Sequence, residues 1–209
     1  MLWLFLADIS NISPEHDVTF FSDYRKRKLE KIRIDQKKKQ SIGVELLLMY
    51  GVKKLAPQVQ FPLNIKCKEK GKLEFDDIPL FFSLSHSGDY AACAISDVPV
   101  GLDVECGTIN NEKIVDRFFL QHEQARVLSA DNKDRAFAEV WTAKESALKL
   151  LGDGLSRGLS SISVYDDHVI LLPEKTTLFI KRFKADDLII SLCTQLNQTE
   201  LHVETLNLN

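Results

Sequence analysis

The second half of the sequence opens on the stretch Val98-Pro99-Val100-Gly101-Leu102-Asp103-Val104-Glu105-Cys106. Apolar residues alternate there with Gly101, Asp103 and Glu105, and this period of two residues predicts a β-strand with one acidic face. The two carboxylates project from the same side, with Cα atoms about 6.6 Å apart. Such a pair is costly unless a cation lies between the carboxylates or water screens them. A magnesium site and a solvated edge strand therefore both stay open.

The elements around this strand occur in the same order twice. A strand at Trp3–Ile9 is followed by a helix from Ser22, which Ser22 or Asp23 can cap, and by a longer helix at Gln36–Tyr50 that Gly51 ends. After the acidic strand come a helix near Leu120–Leu128, a long helix at Asp134–Leu151 that Gly152 ends, and further short strands. This order predicts an α+β fold of two similar halves, residues 1–98 and 99–209.

Between the two sets, the sequence predicts a surface connection and a hairpin. Residues 66–72 are polar and are expected to be exposed. Two apolar runs in residues 81–96 flank Ser85-His86-Ser87-Gly88, which we predict to be the tight turn of a β-hairpin. Backbone amides, two hydroxyls and an imidazole in one turn would suit a phosphate, although a plain hairpin turn is equally compatible with the string.

Composition places the chain among ordinary soluble globular proteins, since 44% of its 209 residues are apolar and 27% are charged. No apolar run reaches the roughly 18 residues of a membrane span, and residues 1–6 are too short for a signal peptide, so we expect a cytoplasmic protein without membrane partners. The four cysteines, Cys67, Cys93, Cys106 and Cys193, are scattered. Their spacing indicates reduced thiols rather than disulfides or a zinc site.

Positive charge is concentrated in one segment. Residues 25–39 hold nine Lys or Arg and two acids, so this segment carries +7 while the remainder of the chain carries −10. Such a cluster favours an anionic ligand, and phosphates are common candidates. A solvated helix face is the alternative interpretation.

The helix Val140-Trp141-Thr142-Ala143-Lys144-Glu145-Ser146-Ala147-Leu148-Lys149 holds a second candidate pair. Glu145 and Lys149 are four residues apart and share one helix face, so a carboxylate and an ammonium could act on the same phosphate. An exposed salt bridge, worth only about 0.3–0.5 kcal/mol, explains the pair equally well on its own.

Taken together, the strings resemble a known family, the phosphopantetheinyl transferases, and within it the larger surfactin-synthetase-activating type. The resemblance is carried, in order, by Ser83-Leu84-Ser85-His86-Ser87-Gly88, Gly101-Leu102-Asp103-Val104-Glu105, Arg117-Phe118-Phe119, Trp141-Thr142-Ala143-Lys144-Glu145-Ser146 and Gly152-Asp153-Gly154-Leu155. It covers most of the chain and fades after about Tyr165.

The resemblance implies a reaction and an architecture. The 4′-phosphopantetheine arm of coenzyme A would pass to a serine of an acyl, peptidyl or aryl carrier protein, releasing adenosine 3′,5′-bisphosphate. The two halves would be related by a pseudo-twofold axis, with coenzyme A in the cleft between them. Because one chain would then supply both halves, we also expect a monomer.

The resemblance also implies roles for single residues. Asp103, Glu105 and Glu145 would hold Mg²⁺, Glu145 would deprotonate the serine directly or through a water, and Lys149 would neutralise charge on the pyrophosphate. Coenzyme A would contact Arg25, Lys28, Ser41, Lys72, Ser85 and His86. The chain departs from the family's pattern at Ser83, Leu73 and Gln40, where Asn, Pro and Arg are common. Lys37, Lys38 and Lys39 are possible substitutes for that arginine.

Two other hypotheses remain. A nucleic-acid-binding module would explain the basic segment but not the carboxylates, and Tyr24 is the sole aromatic residue near that segment for stacking on bases. A catalytically silent member of the family is disfavoured by the intact set of Asp103, Glu105, Glu145 and Lys149.

Overall fold

The computed structural model describes residues 1–106, 111–152, 154, 158–185, 187–197 and 200–208. The chain forms two compact units: the first comprises Met1–Val98 with Thr199–Asn209, and the second comprises Pro99–Gln198. Both contain helices and antiparallel strands, which confirms the α+β class. Among the described residues, no helix is both long and apolar enough to cross a membrane.

The elements have the following bounds. The first unit contains β1 (Leu2–Asp8), α1 (Asp23–Lys31), α2 (Asp35–Leu55), β2 (Ile65–Cys67), β3 (Leu73–Phe75), β4 (Phe81–Ser87) and β5 (Tyr90–Ser96). The second contains β6 (Val100–Cys106), α3 (Glu112–Phe118), α4 (Gln121–Ser129), α5 (Lys133–Leu151), a 3-10 turn (Leu159–Ser161), β7 (Ile162–Val164), β8 (His168–Leu171), β9 (Thr176–Ala185) and β10 (Leu188–Thr194). The chain then returns to the first unit as β11 (Leu201–Asn207).

In the first unit, α2 packs on a four-stranded sheet of order β11-β1-β5-β4. The helix continues four residues beyond Gly51, where the sequence predicted that it would end. A Cβ at Gly51 would lie 2.5 Å from Cδ1 of Ile95 and 2.7 Å from Cε2 of Phe5. The glycine therefore serves the close approach of helix and sheet rather than the end of the helix. The predicted cap of α1 is confirmed, since the Ser22 hydroxyl accepts a hydrogen bond from the amide of Arg25.

In the second unit, α5 packs on a five-stranded antiparallel sheet of order β6-β10-β9-β8-β7. The apolar side of the helix, including Phe137, Val140 and Ala147, joins one buried cluster with residues of the sheet. The predicted end of this helix is confirmed, because Gly152 follows it in the left-handed conformation with φ of 72°. The helix expected near Leu120–Leu128 is present as α4, whereas α3 was not predicted.

The two units share a connectivity. In each, the first strand lies antiparallel beside a later strand, which in turn pairs with the strand that precedes it in the chain: β1-β5-β4 in one and β6-β10-β9 in the other. In each, the longest helix packs on the sheet, α2 mainly on β5 and α5 on β6 and β10. This agreement supports duplication of one α+β plan, while a pseudo-twofold relation between the halves stays a prediction.

Two predictions about the organisation of the chain need correction. The expected C-terminal half of residues 99–209 loses its last strand, because β11 pairs parallel with β1 along its whole length and so belongs to the first unit. The expected surface connection at residues 66–72 is largely exposed, but it forms the loop of a small hairpin in which Ile65 faces Phe75 and Cys67 faces Leu73.

Candidate functional site

The acidic strand lies where the sequence placed it, as β6 at the end of the sheet of the second unit. Asp103 and Glu105 alternate with Leu102 and Val104 and so face the same side of the sheet. Asp103 is 6% exposed, and Glu105 is partly buried. Asp103 therefore does not lie on a solvated edge, and that alternative is wrong for this residue.

Gly101 determines how closely α5 approaches this strand. A Cβ at Gly101 would lie 1.9 Å from the carbonyl oxygen of Ser146 and 2.6 Å from the amide nitrogen of Leu150. Both are backbone atoms of the helix, so no side-chain rotation could relieve the overlap. The glycine thus lets the helix backbone rest on β6. It brings the turn that carries Glu145 and Lys149 next to Asp103, two residues along the strand.

Lys149 joins the helix to the strand. Its ammonium nitrogen donates a hydrogen bond to Oδ1 of Asp103 at 2.8 Å, and this contact is partly buried. A charged hydrogen bond between two elements in a partly buried place is stronger than an exposed pair within one helix. An exposed salt bridge within the helix therefore does not explain Lys149 on its own, because Lys149 also bonds to a residue of the strand.

Glu145 lies within the electrostatic influence of the other three groups. The pKa of Glu145 is raised to about 7, first by partial burial and then by the nearby Asp103 and Glu105 carboxylates, while the Lys149 ammonium lowers it. In the structure Lys149 thus contacts Asp103, and Glu145 lies close enough to Asp103 and Glu105 for their charges to act on it. The strand and helix periods predicted the two pairs separately, and only the resemblance implied that they form one set. A carboxyl that titrates near neutral pH can take up and release a proton under ordinary conditions.

The chemistry of this set fits a hard divalent cation, although its present arrangement is not that of a metal site. Carboxylate oxygens are the ligands that Mg²⁺ prefers, and two or three suffice because the ion keeps several waters. A cation here would also favour the ionised form of Glu145. In the described part of the chain, however, no three or more His, Cys, Asp or Glu side chains are grouped closely enough to hold a metal ion.

The predicted turn Ser85-His86-Ser87-Gly88 needs correction. Ser85 and His86 lie in β4, paired with Ala92 and Ala91, and the turn is formed by Gly88 and Asp89. Gly88 has φ of 53°, as expected at the first position of a two-residue hairpin turn. Successive strand residues face opposite sides, so Ser85 is buried and His86 is exposed. The turn therefore does not gather the hydroxyls and the imidazole into one cradle.

Arg25 and Ser41 lie inside the first unit. Arg25 is 2% exposed; its Nε donates to Oε2 of Glu45 at 3.0 Å and its Nη1 donates to the Ser41 hydroxyl at 3.1 Å. Glu45 also accepts a hydrogen bond from the Ser22 amide at 2.9 Å. These contacts tie α1 to α2. The spacing of the basic segment did not reveal this partner of Arg25.

Lys28 and Lys72 are better placed to meet an anion in the first unit. Partial burial lowers the pKa of both ammonium groups, and the Arg25 guanidinium lowers that of Lys28 further. Lys72 also lines a cavity of about 250 Å³ whose wall includes Phe75, Leu80 and Phe82. An anionic ligand beside either ammonium would offset its desolvation.

The side chain of Gln40 already forms a hydrogen bond within the protein, rather than being open to a nucleotide. Its side-chain amide donates to the carbonyl oxygen of Gly88 at 2.9 Å, and Gln36 donates to the same oxygen at 2.8 Å. Lys39, one possible substitute for the usual arginine, donates to the carbonyl oxygen of Ser10 at 2.6 Å. These residues fasten the N-terminal part of α2 to neighbouring turns.

The remaining motif residues lie partly in the core of the second unit and partly outside the described residues. Phe119 is buried and stacks on Phe137 with ring centroids 5.2 Å apart, so this part of the Arg117-Phe118-Phe119 string belongs to the core. In the Gly152-Asp153-Gly154-Leu155 string, Asp153 and Leu155 lie outside the described residues.

Sequence reasoning also missed Glu123 and gave Lys144 no role, although a lysine between Ala143 and Ala147 on an apolar helix side was a usable signal.

Comparisons with known proteins agree with the resemblance. Residues 99–193 match the model of the 4′-phosphopantetheinyl transferase superfamily. The 4′-phosphopantetheinyl transferase psf-1 of Bacillus pumilus is 29% identical over 196 residues, covering 90% of this chain and 84% of that protein. The 4′-phosphopantetheinyl transferase Sfp of Bacillus subtilis is 27% identical, covering 85% of this chain and 83% of that protein. A solved holo-[acyl-carrier-protein] synthase of Thermotoga maritima aligns with 46% of this chain and 61% of that chain at 19% identity, with a TM-score of 0.41.

Proposed function

We propose that this chain, a member of the 4′-phosphopantetheinyl transferase superfamily, transfers the 4′-phosphopantetheine arm of coenzyme A to a serine of an acyl, peptidyl or aryl carrier protein. The reaction releases adenosine 3′,5′-bisphosphate and depends on Mg²⁺. The oxygen of the serine attacks the phosphorus next to the pantetheine arm, and the bond from this phosphorus to the bridging oxygen of the pyrophosphate breaks. The serine proton passes to a base, and the bisphosphate leaves with the bridging oxygen.

One observation carries the proposal. Contact of the α5 backbone with Gly101 places Lys149 2.8 Å from Asp103, in the same small region as Glu145. Cleavage of a phosphoanhydride needs positioning and charge neutralisation more than covalent chemistry. A lysine, a titratable carboxyl and two further acids supply both needs from one strand and one helix turn.

Each residue of this set then has a role. Asp103, Glu105 and Glu145 would hold Mg²⁺, which when bound supplies positive charge to the pyrophosphate oxygens. Glu145, directly or through a water, accepts the serine proton. Lys149 balances the charge that develops on the leaving group. Lys149 now donates to Asp103 at 2.8 Å, and in this proposal its ammonium would leave that contact to meet the substrate phosphate.

We place coenzyme A against the basic residues of the first unit. Lys28 and Lys72 meet its phosphates, and the cavity beside Lys72 offers apolar and aromatic walls. The resemblance adds Arg25, Ser41, Ser85 and His86. Of these, Arg25 and Ser41 are buried and bonded to each other, so they support the binding surface from beneath. Nucleic acid is disfavoured as the ligand because the acids of the second unit would have no task.

Mass spectrometry tests the proposal. Apo-carrier protein, coenzyme A and Mg²⁺ are incubated with the protein, and the carrier is expected to gain the mass of one phosphopantetheine. The matched reaction contains EDTA and is expected to show no gain. The absence of any gain with several unrelated carriers would contradict the proposed function.

We further propose that the protein is a cytoplasmic monomer, and sedimentation that shows an obligate trimer would exclude the monomer.

A further inference from the structure

Lys144 is the neighbour of Glu145 in α5 but points into the protein. Its side chain and that of Glu123 in α4 are both 0% exposed. The Lys144 ammonium donates to Oε2 of Glu123 at 2.8 Å, to the carbonyl oxygen of Leu159 at 3.1 Å, and to that of Ile162. An ammonium has three N–H donors, so all of them are used.

Glu123 is equally well satisfied. Its Oε2 also accepts from the amide of Leu120 at 2.7 Å, which caps the start of α4. Its Oε1 accepts from the amide of Val164 in β7 at 2.7 Å. The Glu123–Lys144 pair thus connects the start of α4, the middle of α5, the 3-10 turn and β7.

The charges themselves add little stability to a buried pair of this kind. Removing two charges from water costs several kcal/mol per ion, and their mutual attraction roughly offsets that cost. Two apolar residues of similar size would fill the same volume, although the backbone groups that the pair now satisfies would lose these partners. What the apolar residues would lack is direction, because an ammonium with three fixed acceptors allows one orientation of its helix.

The opposite side of α5 is held by other contacts. Ser146, whose carbonyl oxygen rests on Gly101, lies two positions after Lys144 and hence about 200° around the helix axis. The hydroxyl of Thr142 lies 2.8 Å from that of Ser191, which is the cross-strand partner of Asp103. The helix is therefore held from two sides, and Glu145 lies on the arc between them.

We infer that Lys144 is a positioning residue: with Glu123 it fixes the rotation of α5 so that Glu145 and Lys149 meet Asp103. The kinetic consequence of this inference rests on the proposed function. Its structural consequence, the contact between Lys149 and Asp103, does not depend on what the protein catalyses.

The test uses the double variant Lys144→Met, Glu123→Gln, which removes both charges at similar side-chain size. Because no uncompensated charge remains, the variant is expected to stay folded. Its thermal unfolding temperature is expected to fall by roughly 5 °C, because the carbonyl oxygens of Leu159 and Ile162 lose their donor and a glutamine offers one acceptor oxygen to the amides of Leu120 and Val164. Transfer is expected to fall roughly 100-fold in kcat, the effect of a misplacement of about 1 Å. The KM for coenzyme A is expected to stay within about twofold, since the binding surface is untouched. A crystal structure of the variant is expected to lack the 2.8 Å contact between Lys149 and Asp103.

Glu139→Gln is the matched control. Glu139 lies on the same helix and also links it to α4, through Arg126 at 2.8 Å, but this ion pair is partly exposed. The control is expected to keep the wild-type kcat and the Lys149–Asp103 contact. Glu123→Gln alone gives a second measurement if the double variant does not fold. Lys144 keeps its carbonyl acceptors there, and because burial lowers the pKa of Lys144, the amine can lose its proton instead of staying buried as an unpaired charge. A loss of about tenfold in kcat is expected.

The outcomes separate this inference from the proposed function. A stable double variant with wild-type kcat and an intact Lys149–Asp103 contact overturns the positioning role, as does a Glu123→Gln variant with both unchanged if the double variant is unfolded. If the wild type transfers nothing to any carrier but the variant has lost the contact, the proposed function fails and the positioning role holds. An intact contact overturns the role in either case.

Discussion

In both units a helix packs closely on a sheet at a glycine, but the glycine lies in the helix in the first unit and in the strand in the second. In the first unit the glycines belong to the helix: Gly43 makes room for Ile9, and Gly51 makes room for Phe5 and Ile95. In the second unit the glycine belongs to the strand, and Gly101 meets the backbone of α5. A glycine on the helix admits large apolar side chains from the sheet and builds a core. A glycine on the strand lets the helix backbone lie directly against the strand. The acidic side chains next to that glycine can then reach polar groups on the helix.

Substitution of Gly101 is expected to have the largest effect. Gly101→Ala places a Cβ against backbone that has no room to rotate away, so α5 must shift. We expect a loss of about 3 kcal/mol or more in the free energy of unfolding, measured in urea, together with loss of transfer activity. Gly43→Ala is the counterpart in the first unit. Its Cβ would lie 2.5 Å from Cγ2 of Ile9 and 3.1 Å from Cβ of Ala91, which are side-chain rather than backbone atoms, so a smaller loss is expected. Equal losses in the two variants would refute the contrast.

Asp103→Ala is expected to separate activity from stability. Removal of the carboxylate should lower kcat roughly 10²–10³-fold, the usual effect of one electrostatic group at a reacting centre. Unfolding should change little, because Lys149 is partly exposed and can turn to water. The comparable acid of β1 is Asp8, which is exposed and accepts from the Ser10 amide at 2.7 Å. Asp8→Ala should leave kcat unchanged, and near-normal turnover in Asp103→Ala would remove the role assigned to that carboxylate.

The pH dependence of stability gives a third test. The pKa of Glu145 is about 7 in the folded protein, above the ordinary value of 4.5 for a glutamate side chain. The folded state therefore holds the Glu145 proton more tightly than the unfolded state does. The stability that this protonated carboxyl contributes is present at low pH and is lost as the pH rises from about 4.5 to about 7. Without divalent cations, urea unfolding should show this decline in the wild type but not in Glu145→Gln. A decline of the same size in the variant would mean that other groups cause it.

Lys72→Ala is expected to have the smallest effect. Loss of one ammonium beside the cavity should raise the KM for coenzyme A about tenfold at unchanged kcat, as expected when a group binds substrate and transition state equally. The effect should shrink as salt concentration rises, because ionic screening weakens the contact. Lys53→Ala, at an exposed position near the end of α2, is the matched control. A fall in kcat rather than a rise in KM would move Lys72 from binding to catalysis.

Local periodicity predicted most of the elements and two pairs of charged residues, while only the family resemblance implied that the two pairs form one site. A period of two gave the common face of Asp103 and Glu105, and a helix period gave that of Glu145 and Lys149. Local spacing also anticipated the Ser22 cap and the end of α5 at Gly152, because these depend on a few neighbouring residues.

The misses concern contacts between distant parts of the chain. Gly51 resembled a helix end, but its reason is the approach of Phe5 and Ile95. Arg25 is paired with Glu45 twenty residues away, and Lys144 with Glu123 on another helix. His86 was assigned to a turn because its serine and glycine neighbours are common there. The turn in fact lies two residues further on, at Gly88, whose φ is positive, and Asp89. Such pairings depend on tertiary packing, which no local pattern records.

The return of β11 to β1 has a consequence for the way the chain is made. On the ribosome, β1 emerges early, while its parallel neighbour follows the whole of the second unit. Until then one edge of β1 offers unpaired backbone groups to any other nascent strand. Completion of the first sheet thus waits for synthesis of the second. A fragment that stops at residue 98 would keep that edge open permanently and would be prone to aggregate.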